Sequence, residues 1–340
     1  MAKNLKLGLQ LGYWGAKPPT NFVETAQEAE KLGYDIVFTA EAWGSDAFTP
    51  LAWIGAHTER IRLGTAVVQL SARTPTATAM HTLTLDHLTN GRVTLGLGVS
   101  GPQVVEGWYG QPFAKPLART REYVSIVRQV LAREAPVQND GPHYPLPYTG
   151  AGSWGLGKPL RPITHPLRAD VPILLGAEGP KNVALAAELC DGWLPLYYSP
   201  YRQDVYADSL AKAKPGFEIC AGVQVSVSDD VSAALAPMKA TLGFYIGGMG
   251  AKQRNFHKEL MARMGFEAEA EKIQQLFFEG KRAEAIQTVP DAFADEIALV
   301  GPVARIKERL EAWKDTPVTT LLVMGHDKAQ LRQVAELVLD

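Results

Sequence analysis

The sequence predicts an α/β protein, a (β/α)8 TIM barrel with insertions after its fourth and seventh strands. Three observations predict it. Short apolar runs alternate with amphipathic segments of helix length through most of the 340 residues, the pattern of parallel strands joined by crossover helices. Eight such runs follow one another with no sign of a sheet edge, as in a closed barrel. No Gly-x-Gly-x-x-Gly follows the first run, which counts against the alternative, a doubly wound open sheet.

The elements follow in order. Leu5, Leu7, Leu9 and Leu11 alternate with polar or small residues in a first strand that ends in Gly12-Tyr13-Trp14-Gly15. Residues 21–32 form a helix stopped by Gly33, and residues 36–40 a second strand with Glu41-Ala42-Trp43 just beyond it. Residues 50–57 form a short helix. The third strand is residues 63–70. Thr74 then caps, and Pro75 opens, a helix over 76–88. Met80, Leu83 and Leu88 are its expected sheet-facing residues, and Asn90-Gly91 stops it. Residues 93–98 are the fourth strand, with glycines where something approaches the backbone closely.

Residues 99–117 lose the pattern and read as a long loop holding Trp108 and Tyr109. A helix follows, with Tyr123, Ile126, Val127, Val130 and Leu131 on one face. Residues 136–170 are a Pro- and Gly-rich excursion. The fifth strand is 171–175, and Gly176-Ala177-Glu178-Gly179-Pro180 opens a helix with Val183, Ala186, Ala187 and Cys190 inward. Residues 193–196 are a short sixth strand, 201–213 a helix and 218–227 a seventh strand. From 230 to 299 the chain reads as a helical insertion. Gly301-Pro302 starts a helix with Val303, Ile306, Leu310 and Trp313 in register. Residues 319–324 are the eighth strand and 327–339 a last helix. The whole, residues 1–340, reads as a single domain.

Composition narrows the function. The chain is 46% apolar, enough for a large core, and its net charge of −2 gives no footprint for nucleic acid. Cys190 and Cys220 make no disulfide framework and are expected to be buried packing. Met1-Ala2-Lys3-Asn4 runs straight into a strand, with no signal-peptide core and no bilayer-length apolar run, which predicts a cytoplasmic protein. The seven histidines show no metal-binding spacing and no serine sits in a Gly-x-Ser-x-Gly elbow, so no metal is expected and acyl transfer is disfavoured.

A barrel places its chemistry at the carboxyl ends of its strands. The candidates are therefore Tyr13 and Trp14, Glu41 and Trp43, residues 68–73, 99–102, 176–180 and 194–198, and Gly325-His326. The turn 176–180 offers free amides at a helix N-terminus, which suit a phosphate. Lys181 adds a cation there and Glu178 opposes it. From local sequence alone, a tight turn shaped by Gly and Pro is the better explanation of it. Gly301-Pro302 is a rival of the same kind. Glu41 is either an acid or base beside a reacting atom or the ion-pair partner of a nearby Arg. Trp14, Trp43, Trp108, Tyr109, Tyr197 and Tyr198 all fall at strand ends or in the insertion, which predicts an aromatic-walled pocket for a planar ring, or else an oligomer interface.

The chain resembles the luciferase-like (bacterial luciferase) superfamily, and more closely its coenzyme F420-dependent oxidoreductases of actinobacteria. The residues that carry this are Gly33-Tyr34-Asp35-Ile36-Val37-Phe38-Thr39-Ala40-Glu41, Arg62-Leu63-Gly64-Thr65-Ala66-Val67, Asn90-Gly91-Arg92-Val93 with Gly96-Leu97-Gly98, the turn 176–180, Asp191-Gly192-Trp193 and Val300-Gly301-Pro302. They span nearly the whole chain. The resemblance implies a deazaflavin or FMN ring over the strand ends. It also implies a non-prolyl cis peptide at Ala66-Val67 behind that ring and the cofactor phosphate at residues 176–180. It assigns Ala66, Val67, Gln69, Val99, Ser100, Gly101, Gly176, Ala177, Glu178, Gly179, Pro180, Leu194 and Pro195 to the cofactor, and makes a homodimer plausible. Tyr13, Trp14, Trp43, Trp108 and Tyr197 are expected to shape the substrate pocket.

One departure stands out. Sugar-phosphate and alcohol dehydrogenases of the family carry a His acid or base after the second strand and a Glu after the fourth. Here Glu41-Ala42 and Gly101 occupy those neighbourhoods. Glu41 is the remaining candidate for proton transfer, with Glu106 a distant second. The expectation is an F420-dependent oxidoreductase passing a hydride between the deazaflavin and a small organic substrate. The alternatives are an FMN-dependent monooxygenase using reduced flavin and oxygen, and a non-catalytic F420-binding protein.

Overall fold

The computed structural model describes residues 4–250, 252–325 and 327–339. In chain order its strands are β1 (Lys6–Gly12), β2 (Ile36–Thr39), β3 (Arg62–Thr65), β4 (Val68–Gln69), β5 (Val93–Gly98), β6 (Ile173–Gly176), β7 (Gly192–Leu194), β8 (Glu218–Val227), β9 (Ala298–Gly301) and β10 (Thr320–Met324). All pair in parallel, and β10 closes the barrel by pairing both β1 (Leu9 opposite Val323) and β8 (Cys220 opposite Thr320). The barrel therefore has eight staves: β1, β2, β3 with β4, β5, β6, β7, β8 and β10.

The helices are α1 (Phe22–Lys31), α2 (Phe48–Ala56), α3 (Pro75–Leu88), α4 (Pro102–Gly107), α5 (Pro116–Ala132), α6 (Pro180–Leu189), α7 (Asp204–Leu210), α8 (Val231–Gly248), α9 (Phe256–Arg263), α10 (Glu267–Phe278), α11 (Arg282–Thr288), α12 (Asp291–Glu296), α13 (Val303–Lys314) and α14 (Lys328–Val338). Among the described residues no helix is long and apolar enough to cross a membrane.

Strand alternation builds two cores. Ile36, Phe38, Leu174, Leu194, Cys220 and Leu322 fill the barrel interior. Leu7, Leu9, Leu63, Leu95 and Leu97 face outward into the larger core under the helices. Each of these leucines is fully buried, and burial contributes about 2 kcal/mol per side chain. Ala66 and Val67 lie against the interior cluster and cap it at the carboxyl end.

The sequence expectations need six corrections. The stretch 63–70 is not one strand: it breaks at a cis peptide between Ala66 and Val67, leaving β3 and β4 on either side. On α3, Leu83 is buried but Met80 and Leu88 are 63% and 74% exposed. The small residues Thr78, Ala79 and Thr82 face inward instead, because close packing against a neighbour rewards small side chains as well as large apolar ones. The segment 99–117 contains a short helix, α4, and the helix predicted over 201–213 is reduced to α7. Residues 298–301 are a strand, β9, beside the outer half of β8 rather than the end of a helical insertion. Such a four-residue apolar run has no readable period. Val303 is exposed, unlike Ile306, Leu310 and Trp313.

Candidate active site at the carboxyl ends of the strands

The mouth of the barrel is shaped by how β3 and β5 meet. Thr65 bonds both the N–H and the C=O of Gly96 through its hydroxyl, at 2.8 Å each. A Cβ on Gly96 would lie 1.8 Å from the Thr65 carbonyl oxygen, so only glycine fits. At Gly98 a Cβ would come within 2.4 Å of Val67 Cγ2, and at Gly176 within 3.0 Å of Val67 Cγ1. The close approach expected from the glycines is thus made by the Val67 side chain, wedged between β5 and β6. The non-prolyl cis peptide implied by the resemblance is present at Ala66-Val67.

Glu41, just past β2, is buried with its side chain 2% exposed. Arg73 Nη1 donates to both of its oxygens at 2.9 Å, and the Gln69 amide donates to Oε1 at 2.8 Å. The Gln69 side chain returns a bond to the Glu41 carbonyl at 3.2 Å. Arg73 also lies over the Phe48 ring at 5.4 Å. This is the ion-pair alternative. Both carboxylate oxygens are already occupied, which suits a brace for the β4 turn and leaves little for an acid or base to do. Glu106 is exposed and accepts from the Phe113 amide at 3.3 Å.

The aromatic residues divide. Tyr13, Trp43 and Trp108 are 47%, 51% and 62% exposed at the rim. Trp14 packs on Phe22, with its amide on Ser45. Tyr109 reaches the Ala42 carbonyl at 3.4 Å and ties the segment after β5 to the loop after β2. Burial pushes its hydroxyl pKa up, and the nearby Glu41 carboxylate adds to this. Tyr197 is buried, but Tyr198 leaves the group: it stacks on Tyr206 at 5.2 Å and packs near Trp313 in the outer core. Adjacent residues in extended chain point to opposite sides.

Around the β6–α6 turn, Gly179 caps α6 with no side-chain hydrogen bond. Ala177 is held by Trp193, whose indole N–H donates to its carbonyl at 2.8 Å. Leu194 and Pro195 are buried beside this turn at the end of β7. Lys181 is exposed. Val99, Ser100 and Gly101 lie between β5 and α4, with Ser100 at φ 58°. The rival turn at Gly301 follows β9, outside the ring of eight staves. Arg305 fills it, pairing with Asp295 at 2.7 Å and leaving Cδ 2.8 Å from where a Gly301 Cβ would sit. His326 lies outside the described residues, as do Met1, Ala2 and Lys3.

Sequence reasoning missed several residues at the mouth. Gln10 donates to the Ala66 carbonyl at 3.4 Å. The insertion brings Tyr245 of α8 and His257 of α9 over the turn after β6, where His257 Nδ1 lies 2.8 Å from Glu178 Oε2. Tyr197, Tyr245 and His257 meet edge to face, with Tyr245 and His257 rings 4.9 Å apart. Burial raises the Tyr197 and Tyr245 hydroxyl pKa values strongly, so both stay protonated at neutral pH. Only the Asn255 cap of α9 had a local signal, Asn before the helix. Gln10 Oε1, Gln69 Oε1, Asn182 Oδ1 and Tyr197 Oη are buried without a protein partner. Glu178 Oε2 and His257 Nδ1 are likewise without a hydrogen-bond partner, as are Gln274 Nε2, Asp295 Oδ1 and Arg309 Nε away from the mouth; buried polar atoms are normally paired.

Comparison with known proteins agrees with this architecture. The profile of the luciferase-like monooxygenase family matches residues 7–320. A Mycobacterium tuberculosis protein named as a coenzyme F420-dependent oxidoreductase is 57% identical, over 99% of this chain and 100% of its own. The 5,10-methylenetetrahydromethanopterin reductase of Archaeoglobus fulgidus is 28% identical over 90% of each chain. Among solved structures, the coenzyme F420-dependent tetrahydromethanopterin reductase of Methanopyrus kandleri superposes with a TM-score of 0.80 at 19% identity, covering 99% of both chains. The chain belongs to the luciferase-like monooxygenase family, in the branch that holds its mycobacterial relative.

Proposed function

We propose that this protein is a coenzyme F420-dependent oxidoreductase that transfers a hydride between the deazaflavin and an unsaturated or carbonyl group of a small organic substrate. The observation that carries the reading is the set of orphaned polar atoms at the mouth, Gln10 Oε1, Gln69 Oε1, Asn182 Oδ1 and Tyr197 Oη. They fit a planar ring with hydrogen-bonding edges and a polar side chain. The ring would rest over Ala66 and Val67, flanked by Gln10, Gln69 and residues 99–101. The turn 176–180, with Leu194 and Pro195, would hold the phosphate-bearing arm. When bound, the cofactor supplies the hydride chemistry.

The chain's own groups position and shield. Glu41 and Arg73 hold Gln69 in place, and Tyr109 closes the segment after β5 over the loop after β2. Tyr13, Trp43 and Trp108 line the substrate side and keep water from the reacting face. Glu41 is a positioning residue in this reading, not the proton donor.

The test is turnover of reduced F420, followed by its absorbance, against a panel of enones and carbonyl compounds without oxygen. Oxidation that depends on substrate supports the reading. Oxygen consumption with reduced FMN and no reaction with reduced F420 would instead make the protein a monooxygenase, and tight F420 binding without turnover would make it a carrier.

We also infer a homodimer. Trp53, Met80, Leu88 and Ile163 are 57%, 63%, 74% and 96% exposed. The excursion lies against the end of α3 through His87 and the His165 carbonyl, 2.8 Å apart. Exposed apolar surface of this kind marks an interface. Leu88→Asp with Ile163→Asp should convert a dimer to a monomer in sedimentation velocity; a wild-type monomer refutes it.

A further inference from the structure

The turn that opens α6 presents a contradiction. Glu178 stands two residues before Pro180, the first residue of α6. A carboxylate there is itself a good ligand for the free amides of a helix N-terminus. Yet Glu178 does not cap α6: Pro180 has no amide proton, the Asn182 and Val183 amides bond the Gly179 carbonyl at 2.9 and 3.0 Å, and the amides left for an anion are those of Gly179 and Lys181. Glu178 is turned instead toward the insertion, where its Oε2 is 2.8 Å from His257 Nδ1, both side chains largely buried at 13% and 16% exposure. The two atoms lack the alignment of a hydrogen bond, and neither has another partner. Their contact is an ion pair when His257 is protonated.

Helix α9 is fixed over this turn by two further contacts. Arg263 Nη2 donates to the Glu178 carbonyl at 2.9 Å. Asn255 caps α9 by accepting from the His257 and Lys258 amides, and donates to the Tyr245 and Ile246 carbonyls. Tyr197, 5% exposed, packs edge-on to His257 with its hydroxyl unpartnered, within electrostatic reach of Glu178. Asn182, in the first turn of α6, also keeps a buried oxygen without a partner. The Gly179 and Lys181 amides and these orphaned side chains thus lie about a carboxylate that is turned aside.

We propose that His257 is a positioning residue for anion binding: it holds Glu178 off the N-terminus of α6, so that the free amides there stay open for the phosphate of the cofactor. This rests on the cofactor reading above. The insertion after β8 then has a defined task, completing a phosphate site whose amides belong to the barrel. Without His257, Glu178 is free to fall onto the amides and compete with the ligand.

The charge logic predicts an unusual mutational pattern. His257→Gln should weaken F420 binding about tenfold, the scale of a favourable charge–helix interaction. Glu178→Ala should bind at least as tightly as wild type. The double variant should recover the affinity of Glu178→Ala, because with the carboxylate gone there is nothing left to hold aside. A structural role for the pair gives the opposite: both single changes weaken binding and the double change is no better.

The experiment is a fluorescence titration of the full chain and the three variants with F420, with thermal melts of each. Wild-type binding decides the cofactor reading; the variants decide this one. If wild type binds only FMN, the same series is run with FMN, whose phosphate has the same chemistry. If wild type binds neither, both readings fail. A double variant as weak as His257→Gln, or a His257→Gln variant that binds as wild type, overturns the proposal. Should His257→Gln not fold, Glu178→Ala still tests it, since a tenfold loss there would make Glu178 a ligand and refute the idea that it is held aside.

Discussion

Replacing Arg73 with Met tests the brace behind the mouth. The change keeps the apolar stem of the side chain and removes the guanidinium, with its charge and its N–H donors. Glu41 then stands 2% exposed with the Gln69 amide as its one remaining partner at 2.8 Å. A carboxylate about 3 Å from a guanidinium interacts by roughly 5 kcal/mol at an effective dielectric constant of about 20. Loss of one partner of a buried pair costs about 3–5 kcal/mol, because the other charge stays buried. The stacking of Arg73 over Phe48, 5.4 Å from its centroid, adds about 0.5–1 kcal/mol. The expected loss is about 4 kcal/mol, a large part of the roughly 5–15 kcal/mol by which native proteins are stable. Urea unfolding followed by tryptophan fluorescence measures it. Glu41→Gln combined with Arg73→Met should recover most of the loss, since no charge is then left buried. A loss below about 1 kcal/mol for Arg73→Met, the value for an exposed pair, would refute the brace.

Other predictions follow from burial and charge. Burial pushes the Cys190 and Cys220 thiols up to about 12, so neither should react with a thiol reagent at neutral pH until the protein unfolds; rapid labelling of the native protein would contradict this. Burial tends to raise the Glu30 pKa, but the amides of Ile61, Arg60 and Glu59 outweigh it and hold the carboxyl below its ordinary value. Its stabilisation is therefore complete above the unfolded-state pKa and lost as pH falls through the lower folded one. Glu30→Gln should narrow the stability difference between neutral and acid urea melts; an unchanged acid slope would assign that loss elsewhere. Gly96→Ala puts a Cβ 1.8 Å from the Thr65 carbonyl oxygen, a backbone clash that side-chain movement cannot relieve, and should prevent folding to a soluble product; a stable, cofactor-binding variant would show that β3 and β5 can separate.

Much of the barrel was legible because its staves are continuous apolar runs between strong punctuation. Thr74-Pro75 and Asn90-Gly91 bracket α3 as the sequence requires, and the Thr74 hydroxyl does cap it, accepting from the Ala77 amide. Faces were harder to read. Met80 and Leu88 look like core and are exposed, while Thr78 and Thr82 look polar and are fully buried; the Thr78 hydroxyl pairs with that of Tyr123 on α5, and Thr82 donates to the Thr78 carbonyl one turn back. Sequence offers no sign of such pairings. β9 was hidden because four apolar residues after a helical insertion carry no period.

The candidate site divides along the same line. Glu41 and residues 176–180 could be named because strand ends can be counted. Their partners could not. Arg73 lies beyond a turn from Glu41, and His257 and Arg263 reach Glu178 from an insertion whose fold over the mouth no local pattern describes. The roles of Glu41 and Glu178 follow from those partners: one is pinned by an arginine, the other drawn aside by a histidine.

The central claim is a deazaflavin site over Ala66-Val67 and the α6 N-terminus. Its most direct test is an equilibrium titration of the wild-type protein with F420 and, in parallel, with FMN, each followed by fluorescence quenching. The account predicts F420 binding at micromolar concentration or below, with FMN far weaker. Binding of FMN in preference to F420, or of neither, would contradict it.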